Sequence, residues 1–367
     1  MRQKFFFFIA ASVLALTLAA GAFAQGEKGI RYVEAADLTL VGNLFPDTPN
    51  PYHRLDTAKY KGFEKADITT IIQSSGLAVA FKTDSRTLWI DTKYGYRRFG
   101  DFSPGIALRG YDLYIKKDGK WLWAASGKAK DNAIDKPFNL ISALDGQMHE
   151  CLLYLPLFSE EISVRIGVSE GSELSALPNP FRHRVGIFGS SFTHGASASR
   201  PGMTYPALFS RNTGIQLLSL GVSGRSKLQM AFAKALADAD VEAYIFDSFS
   251  NPSPEMIRER LFPFIETIQA KHPDIPLIFQ RTIYRESGNF NTVKRKAEED
   301  RKVLADSLMA EACKKYKNVY YIKCTNATSP EHETSVDGTH PSDYGYILWA
   351  RSIEKPVLKI LRKYGIK

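Results

Sequence analysis

From residue 182 to the C-terminus, short apolar runs alternate with helical stretches, and this rhythm restricts the fold more than any other feature of the chain. Runs at 184–188, 216–220, 243–247, 276–279 and 319–322 read as strands. Between and after them, 205–211, 227–237, 255–272, 292–315 and 342–361 carry helical periodicity. Strands separated by helices build βαβ units, hence a parallel sheet with helices on both faces. Five such strands fit one doubly wound, flavodoxin-like three-layer α/β domain over 182–367.

The preceding text has a different period. Residues 76–81, 86–91, 111–116, 120–124, 151–157 and 162–166 read as short strands, with almost no helical periodicity among them. Asp118-Gly119 separates two alternating runs and predicts a tight hairpin. Such a series predicts an all-β sandwich of jelly-roll type over 25–175. Ser, Glu and Pro crowd the text just before the rhythm changes, which suggests a linker at 176–181. The length, 367 residues, suits two domains, and 44% hydrophobic residues with 24% charged exclude a disordered chain.

Residues 1–24 form a separate unit. Arg2 and Lys4 precede an apolar run, and Ala22-Phe23-Ala24 is a small-x-small cleavage site. This is the anatomy of a secretory signal peptide, so the protein is expected to be exported, periplasmic or secreted. No later run approaches the roughly 18 apolar residues that span a bilayer, so stable membrane insertion is not expected. The net charge is +9, but the basic residues are scattered. Lys294-Arg295-Lys296 is followed by Glu298, Glu299 and Asp300, the pattern of a solvated helix face rather than of a nucleic-acid partner. Cys151, Cys313 and Cys324 have no metal-ligand spacing and read first as core residues, although Cys313 and Cys324 are near enough in sequence to pair.

In a doubly wound sheet, ligands gather outside the carboxyl ends of the strands. After the first strand stands Gly189-Ser190-Ser191-Phe192-Thr193-His194-Gly195, which sets serine hydroxyls between a strand end and a helix start. After the second come Gly221-Val222-Ser223-Gly224, whose last residue offers a bare backbone N–H to an oxyanion. The third strand is followed by Asp247-Ser248-Phe249-Ser250-Asn251-Pro252, with a side-chain amide donor at Asn251. Before the last helix, Asp337 precedes His340 by three residues, close enough to orient one ring nitrogen and leave the other as a base. Together these supply a nucleophile, a base, its orienter and oxyanion donors, each after a different element.

These blocks, in this order across 182–367, resemble the SGNH or GDSL hydrolase superfamily. The resemblance implies a flavodoxin-like fold and an acyl-ester hydrolase. By position, Ser191 would be the nucleophile, with His340 the general base and Asp337 its orienter. The N–H groups of Ser191 and Gly224 and the amide of Asn251 would line the oxyanion hole. Gly110-Tyr111-Asp112-Leu113-Tyr114 is similar to the GxDLY signature of a β-rich domain that precedes certain exported SGNH esterases. Two positions depart from the family pattern. The Asp usual after the first Gly is Ser190, which makes it a rival nucleophile. The usual G-x-N-D block reads Ser250-Asn251-Pro252, which puts Ser250 forward as a weaker donor.

The expected mechanism is attack by Ser191, proton transfer through His340 and hydrolysis of an acyl-enzyme, with no metal or organic cofactor. The expected substrate is an O-acetyl ester on carbohydrate, a small molecule or a polysaccharide. Arg200 and His194 are candidate substrate contacts, Arg200 equally a salt-bridged loop residue, and His194 more plainly an exposed helix residue. Tyr111, Tyr114, Trp121 and Trp123 divide between sugar-stacking surface and core. The competing readings are a glycan-binding protein with a damaged site on the same fold, and an esterase or lipase for lipid or thioester acyl chains.

Overall fold

The computed structural model describes residues 29–367. The expected signal peptide at 1–24 lies outside the described residues. The N-terminal part is built from β1 (Ile30–Glu34), β2 (Thr39–Val41), β3 (Ala78–Thr83), β4 (Leu88–Tyr94), β5 (Tyr111–Lys117), β6 (Lys120–Gly127), β7 (Phe138–Ile141), β8 (His149–Tyr154), β9 (Glu161–Ser169) and β10 (Leu174–Ala176). They form two antiparallel sheets, ordered β1-β9-β4-β7 and β10-β3-β8-β5-β6, with β2 beside β3. Strand alternation explains the sandwich. Val79, Phe81, Leu113, Cys151 and Leu153 of the second sheet face Leu88, Ile90, Val164 and Ile166 of the first. The intervening residues of the second sheet, Ala78, Ala80, Leu152 and Tyr154, are also buried, under Leu177, Phe181 and Ala207. That double burial is why β3 and β8 read as apolar runs rather than as clean alternations. The β5–β6 hairpin turns at Asp118 and Gly119, with φ of +50° and +75°, the left-handed pair its sequence predicts.

Three features of this part were not legible. A helix α1 (Lys65–Ile71) follows a reciprocal cap between Glu64 and Asp67, and a short α2 (Gly105–Arg109) precedes the GxDLY strand. The polar text before the α/β domain is not a free linker throughout, because β10 pairs with β3 through its backbone. Cys151, Cys313 and Cys324 are all free thiols.

The C-terminal part alternates β11 (Arg182–Gly189), α3 (Ser191–His194), α4 (Tyr205–Thr213), β12 (Ile215–Gly221), α5 (Met230–Ala237), β13 (Ala243–Asp247), α6 (Pro254–Gln269), β14 (Leu277–Gln280), α7 (Thr292–Lys315), β15 (Val319–Ile322) and α8 (Asp343–Leu361). Its strands are all parallel in the order β12-β11-β13-β14-β15. Phe188, Leu218, Phe246 and Phe279 point to one face and pack on Phe232, Leu261, Phe264 and Met309 of α5, α6 and α7. Val185, Ile187, Leu217 and Ile245 point to the other, under Phe209, Trp349, Ile353 and Val357 of α4 and α8. The result is a three-layer domain whose strand order reverses at β11, so the switch point lies beside Ser190 and Ser191. No helix among the described residues is long and apolar enough to cross a membrane.

The β-rich part is joined to the β12 edge by buried polar contacts. Ser219 N donates to Gly42 O at 3.2 Å. Arg54, fully buried, donates to Gly221 O at 2.7 Å and also to Thr70 O. Ser75 Oγ donates to His194 O at 2.7 Å.

Candidate active site

Ser191 opens α3 immediately past β11, and its Oγ lies 2.9 Å from His340 Nε2. His340 Nδ1 lies 2.8 Å from Asp337 Oδ2. Asp337 Oδ1 accepts the backbone N–H of Thr339 at 2.9 Å and of His340 at 2.7 Å. Partial burial alone would push the Asp337 carboxyl up. The donors at His340 and Thr339 outweigh it and hold the group below its ordinary range, ionised at neutral pH. The hydrogen-bonded series Ser191–His340–Asp337 can therefore withdraw a proton from a hydroxyl and steady the imidazolium that forms.

Ser190 is committed elsewhere. It is fully buried, caps α3 by accepting Phe192 N at 3.2 Å, and donates Oγ to Asp247 Oδ2 at 2.8 Å. Thr193 Oγ1 donates to the same oxygen at 3.0 Å. Thus a carboxylate does serve the nucleophile turn, but it arrives from the end of β13. Burial pushes the Asp247 carboxyl up to about 6, with the donors at Ser190 and Thr193 pulling against it.

The expected oxyanion donors sit at the neighbouring strand ends. The turn after β12 is closed by Arg225 N to Val222 O at 2.9 Å, and Gly224 occupies its third position at φ +73°. Nothing lies within 4 Å of where a Cβ would stand there, so backbone conformation, not space, calls for glycine. Asn251 is half-buried, and its amide makes no hydrogen bond among the described residues, its Oδ1 included. Ser250 is spent on Thr282, Oγ to Oγ1 at 2.8 Å.

Two expectations need correction. His194 neither lines a substrate surface nor stands exposed. It is fully buried and stacked on Phe158 at 4.2 Å, with Nε2 on Leu157 O at 2.7 Å and Nδ1 accepting Ser223 N at 3.2 Å. Burial, then the nearby Arg54 charge, hold its pKa well below the ordinary value, so it is a neutral ring bracing the β12 turn. Arg200, partly exposed, takes the salt-bridged loop alternative. Its Nη1 donates to Asp112 Oδ2 at 2.7 Å and to Tyr114 Oη at 2.6 Å. The GxDLY aspartate therefore anchors the β-sandwich to the loop after α3. Gly202 N adds a second bond to Asp112 at 2.8 Å, and a Cβ on Gly202 would stand 2.5 Å from the Tyr114 ring. Tyr111 and Tyr114 are core, and Trp123 is 53% exposed.

Sequence reasoning missed the support of the histidine loop. Glu286 accepts Thr334 N at 3.0 Å, Thr334 Oγ1 at 2.6 Å, Ser335 N at 3.1 Å and also Ser335 Oγ. Ser287 N donates to Gly338 O at 2.7 Å, inside the Asp337–His340 turn. Arg285 Nη2 donates to Ser250 O at 2.7 Å, and its guanidinium lies 5.5 Å from the Phe192 ring. Nothing in the local text marks these residues, because their partners are far away in sequence.

A strand-end serine in reach of a histidine, with donors on adjoining strand ends of one parallel sheet, is the layout of a serine hydrolase. The GDSL-like lipase/acylhydrolase family model matches residues 182–359, and the model for the N-terminus of SGNH-hydrolase-type esterases, GxDLY, matches 30–174. A solved structure of a putative GDSL-like lipase from Bacteroides ovatus is 38% identical, with TM-score 0.87 over 91% of this chain and 98% of that one. The chain belongs to the SGNH/GDSL hydrolase superfamily, as a carboxylic ester hydrolase with an N-terminal GxDLY-type domain. Two more distant structures share the fold. The salicylyl-acyltransferase SsfX3 from a tetracycline biosynthetic pathway has 22% identity and TM-score 0.69, over 91% of this chain and 99% of that one. A family two carbohydrate esterase from Cellvibrio japonicus has 12% identity and TM-score 0.60, over 91% and 98%. No curated protein matches the chain.

Proposed function

We propose that this protein is an exported serine esterase that removes acetyl groups from carbohydrate through an acyl-enzyme on Ser191. The observation that carries this reading is the hydrogen-bonded series from Ser191 Oγ through His340 to Asp337, at 2.9 and 2.8 Å. His340 takes the Ser191 proton as Oγ attacks the ester carbonyl. The oxyanion is held by the N–H groups of Ser191 and Gly224 and the amide of Asn251. His340 then gives the proton to the leaving alcohol, and water attacks the acyl-enzyme by the same route.

The unspent amide of Asn251 and the exposed N–H at Gly224 support the oxyanion assignment. The intact Ser191–His340–Asp337 series speaks against a binding-only protein, since the departure at Ser190 is absorbed by Asp247. Carbohydrate is preferred as the alcohol because several structures with the same fold are carbohydrate esterases. Export rests on the signal anatomy of residues 1–24.

The test is release of nitrophenol from nitrophenyl acetate and of acetate from acetylated xylan. Ser191→Ala should abolish both, while Ser190→Ala should retain measurable turnover, with folding of each variant checked by thermal melting. Full activity in Ser191→Ala would refute the nucleophile. Activity confined to long acyl esters would refute the acetyl preference.

A further inference from the structure

A concave pocket of about 350 Å3 lies at the carboxyl ends of β14 and β15, under the start of α7. This is within the roughly 300–1,000 Å3 range of small-ligand sites. Two of its lining residues touch neighbours of the candidate active-site residues. Thr282, in the lining, bonds Ser250 beside Asn251, and Arg285, also in the lining, reaches Ser250 O and covers Phe192, the residue after Ser191.

Five cations line this pocket against two acids: Arg281, Arg285, Arg295, Lys302 and Lys323 against Glu298 and Glu299. Three of the cations are neutralised. Arg281 pairs with Asp306, Arg285 with Glu298 and Lys302 with Glu299. The other two have no counter-ion among the described residues. Arg295 spends Nε and Nη2 on the carbonyls of Gly288 and Asn289, at 2.9 and 2.6 Å, and leaves Nη1 free. Lys323 is exposed and makes no hydrogen bond or ion pair among the described residues. Glu298 is itself shared between Arg285 and Arg301, so it offsets less positive charge than it would against one cation. Uncompensated cations in a concave wall attract an anion more strongly than the same charges on an open, convex surface. The lining also holds the ring of Tyr284, 44% exposed, an apolar face of the kind on which a sugar packs.

We propose that this pocket binds an anionic sugar unit, with a carboxylate or sulfate group held by Arg295 and Lys323 and the ring set against Tyr284. The inference rests on the esterase reading, since it makes this unit the neighbour of the acylated sugar at Ser191. It narrows the substrate from acylated carbohydrate to acidic carbohydrate.

The test is calorimetric titration of the protein with ligands that carry no ester, so that nothing turns over: trigalacturonate, its neutral counterpart galactotriose, glucose 6-sulfate and inorganic sulfate. Trigalacturonate should bind at least about tenfold more tightly than galactotriose, with affinity falling as salt rises. The double variant Arg295→Gln, Lys323→Gln should lose about tenfold for the acidic ligand and little for the neutral one. Both residues are exposed, and melting of the variant checks that it is folded. Stronger binding of glucose 6-sulfate than of trigalacturonate would assign the anion as sulfate. Equal binding of neutral and acidic sugars, undiminished binding in the double variant, or binding of inorganic sulfate alone would overturn the proposal. Nitrophenyl acetate hydrolysis, run in parallel, keeps the two readings apart. Acidic-sugar binding without hydrolysis would sink the esterase, and hydrolysis without charge preference would sink the pocket.

Discussion

Truncating Arg200 to Ala should cost far more than a surface ion pair, because its partner cannot return to water. The Asp112 side chain is completely buried, and its Oδ1 has no hydrogen-bond partner among the described residues. Oδ2 rests on Arg200 Nη1 at 2.7 Å and Gly202 N at 2.8 Å. Arg200→Ala leaves that carboxylate on one backbone N–H, a loss expected to destabilise the protein by about 3–5 kcal/mol. Asp112→Asn is milder. It removes the buried charge, can still accept from Gly202 and leaves Arg200, 21% exposed, partly hydrated, at a cost of about 1–2 kcal/mol. Once Asp112 is neutral, Arg200→Ala strands no charge, so the double variant should recover about 2–3 kcal/mol relative to the sum of the singles. Urea unfolding of the four proteins at pH 7 measures this coupling. A second reading comes from pH. Burial raises the Asp112 carboxyl above its ordinary range, and without Arg200 the main opposing influence is gone. An acid with a raised native pKa binds more protons folded than unfolded, so stability rises as pH falls. The deficit of Arg200→Ala should therefore shrink between pH 7 and pH 5. A coupling below about 0.5 kcal/mol, or a deficit indifferent to pH, would refute the view of Asp112 as a buried interdomain anchor.

Asn251→Ala should lower kcat on nitrophenyl acetate by about a hundredfold or more with little change in KM, and an unchanged kcat would remove Asn251 from the oxyanion site. Asp247, pushed up to about 6 from an ordinary 3.8, makes the native state lose about 3 kcal/mol of stability in all as pH rises from below 3.8 to above 6, with little further change beyond about pH 7. Asp247→Asn should lack that decline, and identical unfolding profiles at pH 4.5 and 7.5 for both proteins would count against the assignment. Glu286→Ala removes four acceptor contacts from the loop that leads into Asp337 and His340. It should lower kcat about tenfold or more with KM nearly constant, partly restored by Glu286→Gln, which keeps one acceptor oxygen; a proportional fall in both variants would mean a merely structural role.

Chain rhythm carried the reading of the α/β domain. The strand Ala243–Asp247, the helix Thr292–Lys315 and the strand Val319–Ile322 begin and end where the periodicity places them. Their faces are buried on both sides or carry a single stripe, and such patterns are local. The β-sandwich was less legible. β1, β2, β7 and β10 escaped notice because short edge pairings depend on backbone partners elsewhere, as β10 depends on β3.

What the sequence alone determined was which chemical groups stand at the strand ends: two serines, a bare glycine, an asparagine, and an aspartate three residues before a histidine. A strand followed by a turn places such residues at the sheet edge whatever the rest of the chain does. Only the tertiary structure decided among them. It turned Ser190 inward onto Asp247 and Ser191 outward to His340. Arg200 was set against Asp112, His194 was buried, and the histidine loop was fastened to Glu286. Each of those choices depends on a partner at least 37 residues away. Local preference says which groups are present, whereas burial and long-range hydrogen bonding decide which of them remain free to react.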